Sequence, residues 1–466
     1  MPLRAGGKGC SEPHVQDSER ARCPALICPC RSSSKLVLGE RGILPSDAGL
    51  AGAAGAVRRV NPLTGPAGRV GIYETGSNNF CGAKIIRILI AFVTAGTGHR
   101  RAAEAVAEAA RQRLPQAEVF CVDLLTYAPS WLRWIYPRLY ACLVRYLPWC
   151  WELVYKLLDD PGIFRLIQPW RRRWNVVMAR RFISWVEGLA PDVAVATHFF
   201  PADVLDTAYR AGKLRSRLIV TITDLFPHRF WLVPKASAFV LGSPQTKALC
   251  QHRGVEEGRL HVLGIPVGAK FGEPADRAQL ASQLGLDPSR RTMLIASGGM
   301  GAGPIGELVR RFLALETTRP QQAQLLVVCG QNKKLERRLA RLCATSTTPM
   351  RVFGFVQTMY DLMRVSDLLV TKAGGLTVME ALSVGLPMIF CGTIPGQERL
   401  NAEYVIQHAA GVNAREPSAV TNIVLGLLDD PTQLEAMRAH AHSLGRPRAA
   451  QELVERLIIP HARRAD

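Results

Sequence analysis

From residue 85 onward, short apolar runs alternate with glycine-bearing turns and longer amphipathic stretches. Ile85 to Val93, interrupted only by Arg87, predicts a buried parallel strand. It opens onto a glycine loop, Thr94 to Arg100, and then onto a strong helix former, Ala102 to Leu114. Pro191 to Thr197, Leu218 to Thr223, Phe239 to Leu241 and Leu260 to Leu263 continue the strand pattern. A mixed stretch with Gly268, Gly272, Pro274 and Pro288 separates these from a second start. There, strand Thr292 to Ala296 leads through the loop Ser297 to Gly303 into helix Ile305 to Leu315. Strands at 324–329, 351–355, 368–371 and 388–390 follow, and 418–459 reads as two or three closing helices. Strand–glycine loop–helix occurring twice predicts an α/β protein built from two Rossmann-like halves. The expected division is 84–267, a linker 268–290, 291–440 and a C-terminal helix in 441–466.

The stretch Asp367 to Phe390 carries the most chemistry. Gly374 and Gly375 permit a tight turn and close approach of a ligand to the backbone. The helix that begins there points unpaired N–H groups, and its positive end, at whatever sits above the turn. Gly385 and Pro387 end it. Glu380, one to two turns in, is placed to accept hydrogen bonds from a vicinal diol. A polar loop, Gly392 to Asn401, opens the next helix. A phosphate cradle, a diol acceptor and a polar loop in sequence suggest a nucleotide-sugar site. In the first half, Gly96 and Gly98 begin like a dinucleotide fingerprint, and Asp123 stands where a ribose-binding acid would. Arg101 occupies the place of the third glycine, which argues against NAD. His99, at the mouth of the sheet, is either an acceptor of a substrate proton or a helix-capping histidine.

Composition adds a partner. The formal charge of +20 implies an anionic surface or ligand. Seven of the eight tryptophans lie between Trp131 and Trp185, interleaved with ten lysines and arginines from Arg133 to Arg181. That mixture in 127–185 suits an anionic bilayer surface, aromatic bodies in the boundary and cations on phosphate. A plain helical core ranks second, and no nucleic-acid partner is expected. No apolar run reaches the roughly 18–20 residues of a spanning helix. The twelve scattered cysteines resemble reduced core residues of a cytosolic protein. A peripheral place on the cytoplasmic face of a membrane is therefore expected. Cys23, Cys28, Cys30 and His14 fit no zinc spacing. Residues 1–83 lack the basic start and apolar core of a secretory signal, and Glu12, Asp17 and Glu19 oppose a transit peptide. A disordered extension is expected there.

Five segments in this order resemble the monogalactosyldiacylglycerol synthase and processive diacylglycerol glucosyltransferase family, and more distantly the MurG-type transferases. They are Gly96-Thr-Gly-His-Arg100, Thr223-Asp-Leu-Phe-Pro-His-Arg-Phe-Trp231, Val262-Leu-Gly-Ile-Pro-Val267, Lys372-Ala-Gly-Gly-Leu-Thr-Val-Met-Glu-Ala381 and Pro395-Gly-Gln-Glu-Arg-Leu-Asn401. The resemblance implies a GT-B glycosyltransferase that inverts the anomeric centre without a metal or other cofactor. It would move galactose or glucose from a UDP-sugar to diacylglycerol. It implies His99 as general base. Gly98, Ser297, Gly298, Gly299, Gly301, Gly374 and Gly375 would lie along the donor, mostly on its diphosphate. Phe355 and Val356 would read uracil, Glu380 the ribose, and Gln397, Glu398 and Asn401 would lie near the sugar hydroxyls. Two other readings share these motifs. One is another nucleotide-sugar enzyme, such as a MurG-like N-acetylglucosaminyltransferase or a UDP-sugar epimerase. The other is a non-enzymatic peripheral membrane protein.

Overall fold

The computed structural model describes residues 85–463, apart from 95, 319–322 and 395. The expected extension 1–83, with Cys23, Cys28, Cys30 and His14, lies outside the described residues. The first half is a six-stranded, fully parallel sheet: β1 (Arg87–Phe92), β2 (Glu118–Asp123), β3 (Val193–Ala196), β4 (Arg217–Thr221), β5 (Ala238–Leu241) and β6 (Leu260–Val262). Its order is β2-β1-β3-β4-β5-β6. The second half repeats the plan with β7 (Arg291–Ala296), β8 (Ala323–Val328), β9 (Met350–Phe353), β10 (Leu368–Thr371), β11 (Met388–Phe390) and β12 (Gly411–Asn413). Its order, β12-β11-β10-β7-β8-β9, is that of a doubly wound nucleotide-binding sheet. In such sheets the crevice opens where neighbouring strands send their helices to opposite faces. Here those points lie between β1 and β3, and between β7 and β10.

Helix α1 (Gly98–Arg113) follows β1 and lies close against the sheet because its buried face is almost all alanine, from Ala102 to Ala110. Four helices then stand together: α2 (Ser130–Tyr146), α3 (Pro148–Asp159), α4 (Pro161–Met178) and α5 (Arg180–Leu189). All but three of the exposed large apolar side chains among the described residues lie between Trp131 and Val177. Trp134, Trp149 and Trp170 are 60%, 66% and 74% exposed, so a plain helical core does not account for this segment. No helix among the described residues is long and apolar enough to cross a membrane. Not every arginine here faces out. Arg171 and Arg172 turn inward to Asp203 and Asp206, the first at 2.8 Å, so only Arg173 of that run is exposed.

Residues 268–290 join the two halves. They carry helix Arg277–Gln283, and Phe271 and Leu286 are buried in a cluster with Leu294, Leu326 and Leu369 of the second sheet. Ala102, Leu225 and Ile265 of the first half join the same cluster, so the two halves share apolar contact. A second tie is the last helical run, Ala449 to Arg463, with a wider turn at Val454–Ile458. Its Leu453, Val454, Leu457 and Ile458 pack against Ile88, Ile90 and Val106 of the first half. Burying each such side chain contributes about 1.5–3 kcal/mol. Leu453→Ala should therefore lower unfolding stability by about 2–5 kcal/mol. A denaturation midpoint equal to wild type would show that the run is not part of the first half's core.

Candidate functional site

At the first sheet's switch point, β1 opens through Thr97 and Gly98 into α1. Thr97 makes no side-chain cap, so the first N–H groups of α1 are left to the cleft. His99, one residue into the helix, is held twice by Thr197 at the end of β3. The Thr197 hydroxyl donates to the His99 carbonyl at 2.9 Å, and the Thr197 carbonyl lies 3.0 Å from His99 Nδ1. A carbonyl can only accept, so Nδ1 carries the hydrogen, shared with Thr223 Oγ1 at 2.8 Å. Nε2 keeps the lone pair. The ring stands edge-on to His198, centroids 4.6 Å apart, with Trp231 at 6.1 Å. Burial among these groups lowers the His99 pKa to about 4, so the imidazole is neutral at physiological pH. The geometry is that of a fixed proton acceptor, and Thr197 holds the ring rather than the ring capping the helix.

The second sheet presents its own switch point opposite. After β7, residues 297–303 form a loop in which Gly298, Gly301 and Gly303 have φ of 67°, 60° and 98°. A Cβ at Gly301 would overlap the carbonyl of Cys329, and one at Gly299 would overlap Thr97 of the first half. Ser297 Oγ is buried there with no hydrogen-bond partner. After β10, Gly374 caps the helix Gly375–Ser383 without a side-chain hydrogen bond; its own N–H donates to the Lys372 carbonyl at 3.0 Å, and the N–H groups of the first helical turn, from Gly375 on, have no helical partner. Gly375 lies so close to the carbonyl of Thr223 that a Cβ would overlap it. Lys372 runs beneath Gly298 and ends 2.7 Å from Glu398 Oε1. Two uncapped helix starts, a glycine loop and a lysine therefore meet from opposite sides of one cleft. That arrangement can hold an anion by backbone donors.

Glu380 is buried on the same helix, and burial pushes its carboxyl up to about 7 despite Arg101 Nη1 at 3.4 Å. Phe355 is exposed at the mouth of β9, and the Val356 carbonyl accepts a hydrogen bond from Arg101 at 3.1 Å. Gln397 begins the helix Gln397–Gln407, half-buried. Two expected sugar contacts are placed differently. Glu398 turns back to Lys372 and to the N–H of Ile394 at 2.9 Å, which braces its own loop. Asn401 is fully buried, its Oδ1 accepting from Leu225 N–H and its Nδ2 donating to the Ala373 carbonyl, each at 3.1 Å. A helix register that turns position 401 inward makes it a tie between the halves rather than a residue at the cleft surface. Asp123, the residue expected of an NAD site, instead accepts from Leu125 N–H and caps the next turn.

The residue patterns did not single out Asp224, although it stands in the segment after β4. It is buried, hydrogen-bonded to Trp231, and raised to about 7 by burial and then by the charge of Glu398. Its position at the carboxyl end of a parallel strand was the available signal. Among the described residues, no group of three or more His, Cys, Asp or Glu is placed to hold a metal ion.

With this geometry in hand, the comparisons agree across both halves. Residues 99–267 match the family described as monogalactosyldiacylglycerol (MGDG) synthase. Residues 292–453 match the glycosyltransferase family 28 C-terminal domain. The chain is 30% identical over 377 residues to monogalactosyldiacylglycerol synthase 1 of Arabidopsis thaliana, covering 79% of this chain and 70% of that protein. It is 29% identical to a processive diacylglycerol beta-glucosyltransferase of Staphylococcus saprophyticus, covering 58% of this chain and 67% of that protein. The crystal structure of Acinetobacter baumannii MurG superposes with a TM-score of 0.53 at 16% identity, covering 80% of this chain and 99% of that one. That likeness is one of fold, the two-Rossmann GT-B arrangement. One close clamp across the cleft is the Gly375–Thr223 approach. Gly375→Ala should cost about 1–3 kcal/mol, as overpacking against backbone does. Unchanged denaturant stability would show that the halves do not meet there.

Proposed function

Since the chain belongs to the monogalactosyldiacylglycerol synthase family of glycosyltransferases, we propose that it moves a hexose, galactose or glucose, from a UDP-sugar to the free hydroxyl of diacylglycerol. The observation that carries this is the apposition of an oriented imidazole and an uncapped helix start across one cleft. The nucleoside would lie at Phe355, Val356 and Glu380. The diphosphate would lie on the N–H groups of the helix start at Gly375 and of the loop at Gly298 and Gly299, and Ser297 Oγ would find its missing partner there, whereas the N–H groups of Gly374 and Gly301 already donate to the Lys372 and Gly298 carbonyls. Gly98 and Gln397 would flank the hexose.

In the reaction His99 Nε2 takes the acceptor's hydroxyl proton while that oxygen bonds to the anomeric carbon. The bond from that carbon to the β-phosphate oxygen breaks on the opposite face, so the configuration inverts. Negative charge grows on the leaving diphosphate, where helix N–H groups are already oriented and cost little reorganisation. The same anion offsets the burial that opposes an imidazolium at His99. The protein thus supplies the stabilisation itself, and a metal is not required. Diacylglycerol is confined to a bilayer, and the exposed apolar face of α2–α4, with Arg133, Arg138, Arg165 and Arg173 exposed around it, supports delivery of the cleft to that surface. A peripheral position on the cytoplasmic side, where UDP-sugars are found, follows.

Diacylglycerol vesicles incubated with a panel of labelled UDP-hexoses should yield a labelled β-linked hexosyl-diacylglycerol, at a rate EDTA leaves unchanged. In that assay His99→Ala should lower turnover at least about a hundredfold. An α-linked product, EDTA sensitivity or a fully active variant would contradict the scheme. Trp149→Glu with Trp170→Glu should abolish sedimentation with anionic vesicles while the fold persists, and undiminished sedimentation would place membrane contact elsewhere.

A further inference from the structure

Arg101 lies in the cleft, and neither the donor scheme nor the acceptor scheme uses it. It sits on α1 two residues after His99, yet its side chain leaves the first half and crosses to the second. Nη1 lies 3.4 Å from Glu380 Oε1, Nη2 donates to the Val356 carbonyl at 3.1 Å, and the guanidinium lies 5.9 Å from the centre of the Phe355 ring. These are the three residues assigned above to the nucleoside. The chemistry of the two occupants is alike. Uracil offers an imide N–H for a carbonyl, ribose offers hydroxyl hydrogens for a carboxylate, and the pyrimidine offers a flat face for an aromatic ring. The guanidinium offers two N–H donors to the same acceptors and a flat cation to the same ring.

We infer that Arg101 is a built-in competitor of the donor nucleoside, bridging the two halves through Glu380 and Val356 and yielding those acceptors when the nucleoside enters. This rests on the assignment of Phe355, Val356 and Glu380 to the nucleoside. Several features fit an exchange rather than a fixed strut. The Arg101 side chain is a quarter exposed, whereas that of Glu380 is 5% exposed, so the guanidinium can swing into water while the carboxylate cannot. The α1 backbone is anchored by the packing of its alanine face, so only the side chain has to move. Glu380 is never left bare, because ribose hydroxyls replace the N–H donors that leave. Each donor-binding event therefore includes the loss of one bridge between the halves. Donor affinity is lower than the bare site would give, and donor arrival is coupled to loosening of the cleft beside His99.

The test uses uridine, which lacks phosphate, so that loss of a cation is read only at the nucleoside. Calorimetric titration of the full-length protein should show Arg101→Met binding uridine on the order of tenfold more tightly than wild type, the gain from removing a charge-assisted competitor. Arg101→Lys, with one cationic point in place of a fork, should fall between them. It also serves as the readout if the methionine variant does not fold. UDP titrated into the same wild-type protein separates the two levels. If wild type binds UDP but neither variant gains affinity for uridine, Arg101 is a strut and the competitor assignment is overturned while the donor site stands. If neither wild type nor variant binds uridine or UDP, the donor-site assignment falls and the competitor falls with it.

Discussion

Two helices begin without side-chain caps at the switch points of two parallel sheets, and they begin facing one another. Everything else in the protein serves or exploits that apposition. A helix start carries N–H groups with no partner of their own, and shutting them away from water is costly unless an acceptor is supplied. At Gly98 and Gly375 these groups border one cleft, and the approach of Gly375 to the Thr223 carbonyl is closer than any side chain would allow. Gly375 answers to the backbone of the opposing half as much as to any ligand. A substitution there would push the halves apart before it touched the chemistry.

Holding two sheets at that separation requires support away from the cleft. The apolar cluster joining Ala102, Leu225 and Ile265 to the second sheet provides part of it, and the buried amide of Asn401 adds a polar tie. The last helical run returns to the first half and closes the chain on itself. The tryptophan-rich helices are tied into the same frame. Asp159 at the end of α3 pairs with Arg253 at 2.6 Å and accepts from Arg229 N–H, and the ring of Tyr155 lies between His228 and Gly396. The exposed apolar face is thus joined directly to the loops at the mouth of the cleft.

The strands and the two glycine loops were legible because their signals are local. Apolar runs of four to nine residues bounded by glycine admit few other structures. Helix Phe199–Arg210 carries no such local signal: its Asp203 and Asp206 lie fully buried, paired with Arg171, Arg172 and Arg210. The same pairing hid the direction of Arg171 and Arg172, which in sequence look like part of the basic outer face. β12 is only Gly411–Asn413, too short to stand out from a turn. At the site, residue types and spacing pointed to His99, Gly374, Gly375 and Glu380. The inward turn of Asn401, the brace at Glu398 and the crossing of Arg101 depend on contacts between residues more than a hundred positions apart or on helix register, and no local pattern encodes those. Asp224 lay within a motif but gained its raised pKa only from burial beside Glu398.

The two opposed helix starts are proposed to form one anion-binding cleft for a uridine diphosphate. A crystal structure of the protein with UDP tests this most directly. In that structure the diphosphate oxygens should lie within about 3.2 Å of the N–H groups at the start of the helix Gly375–Ser383 and of the loop at 297–301, with the ribose on Glu380. A diphosphate lodged anywhere else on the molecule would contradict it.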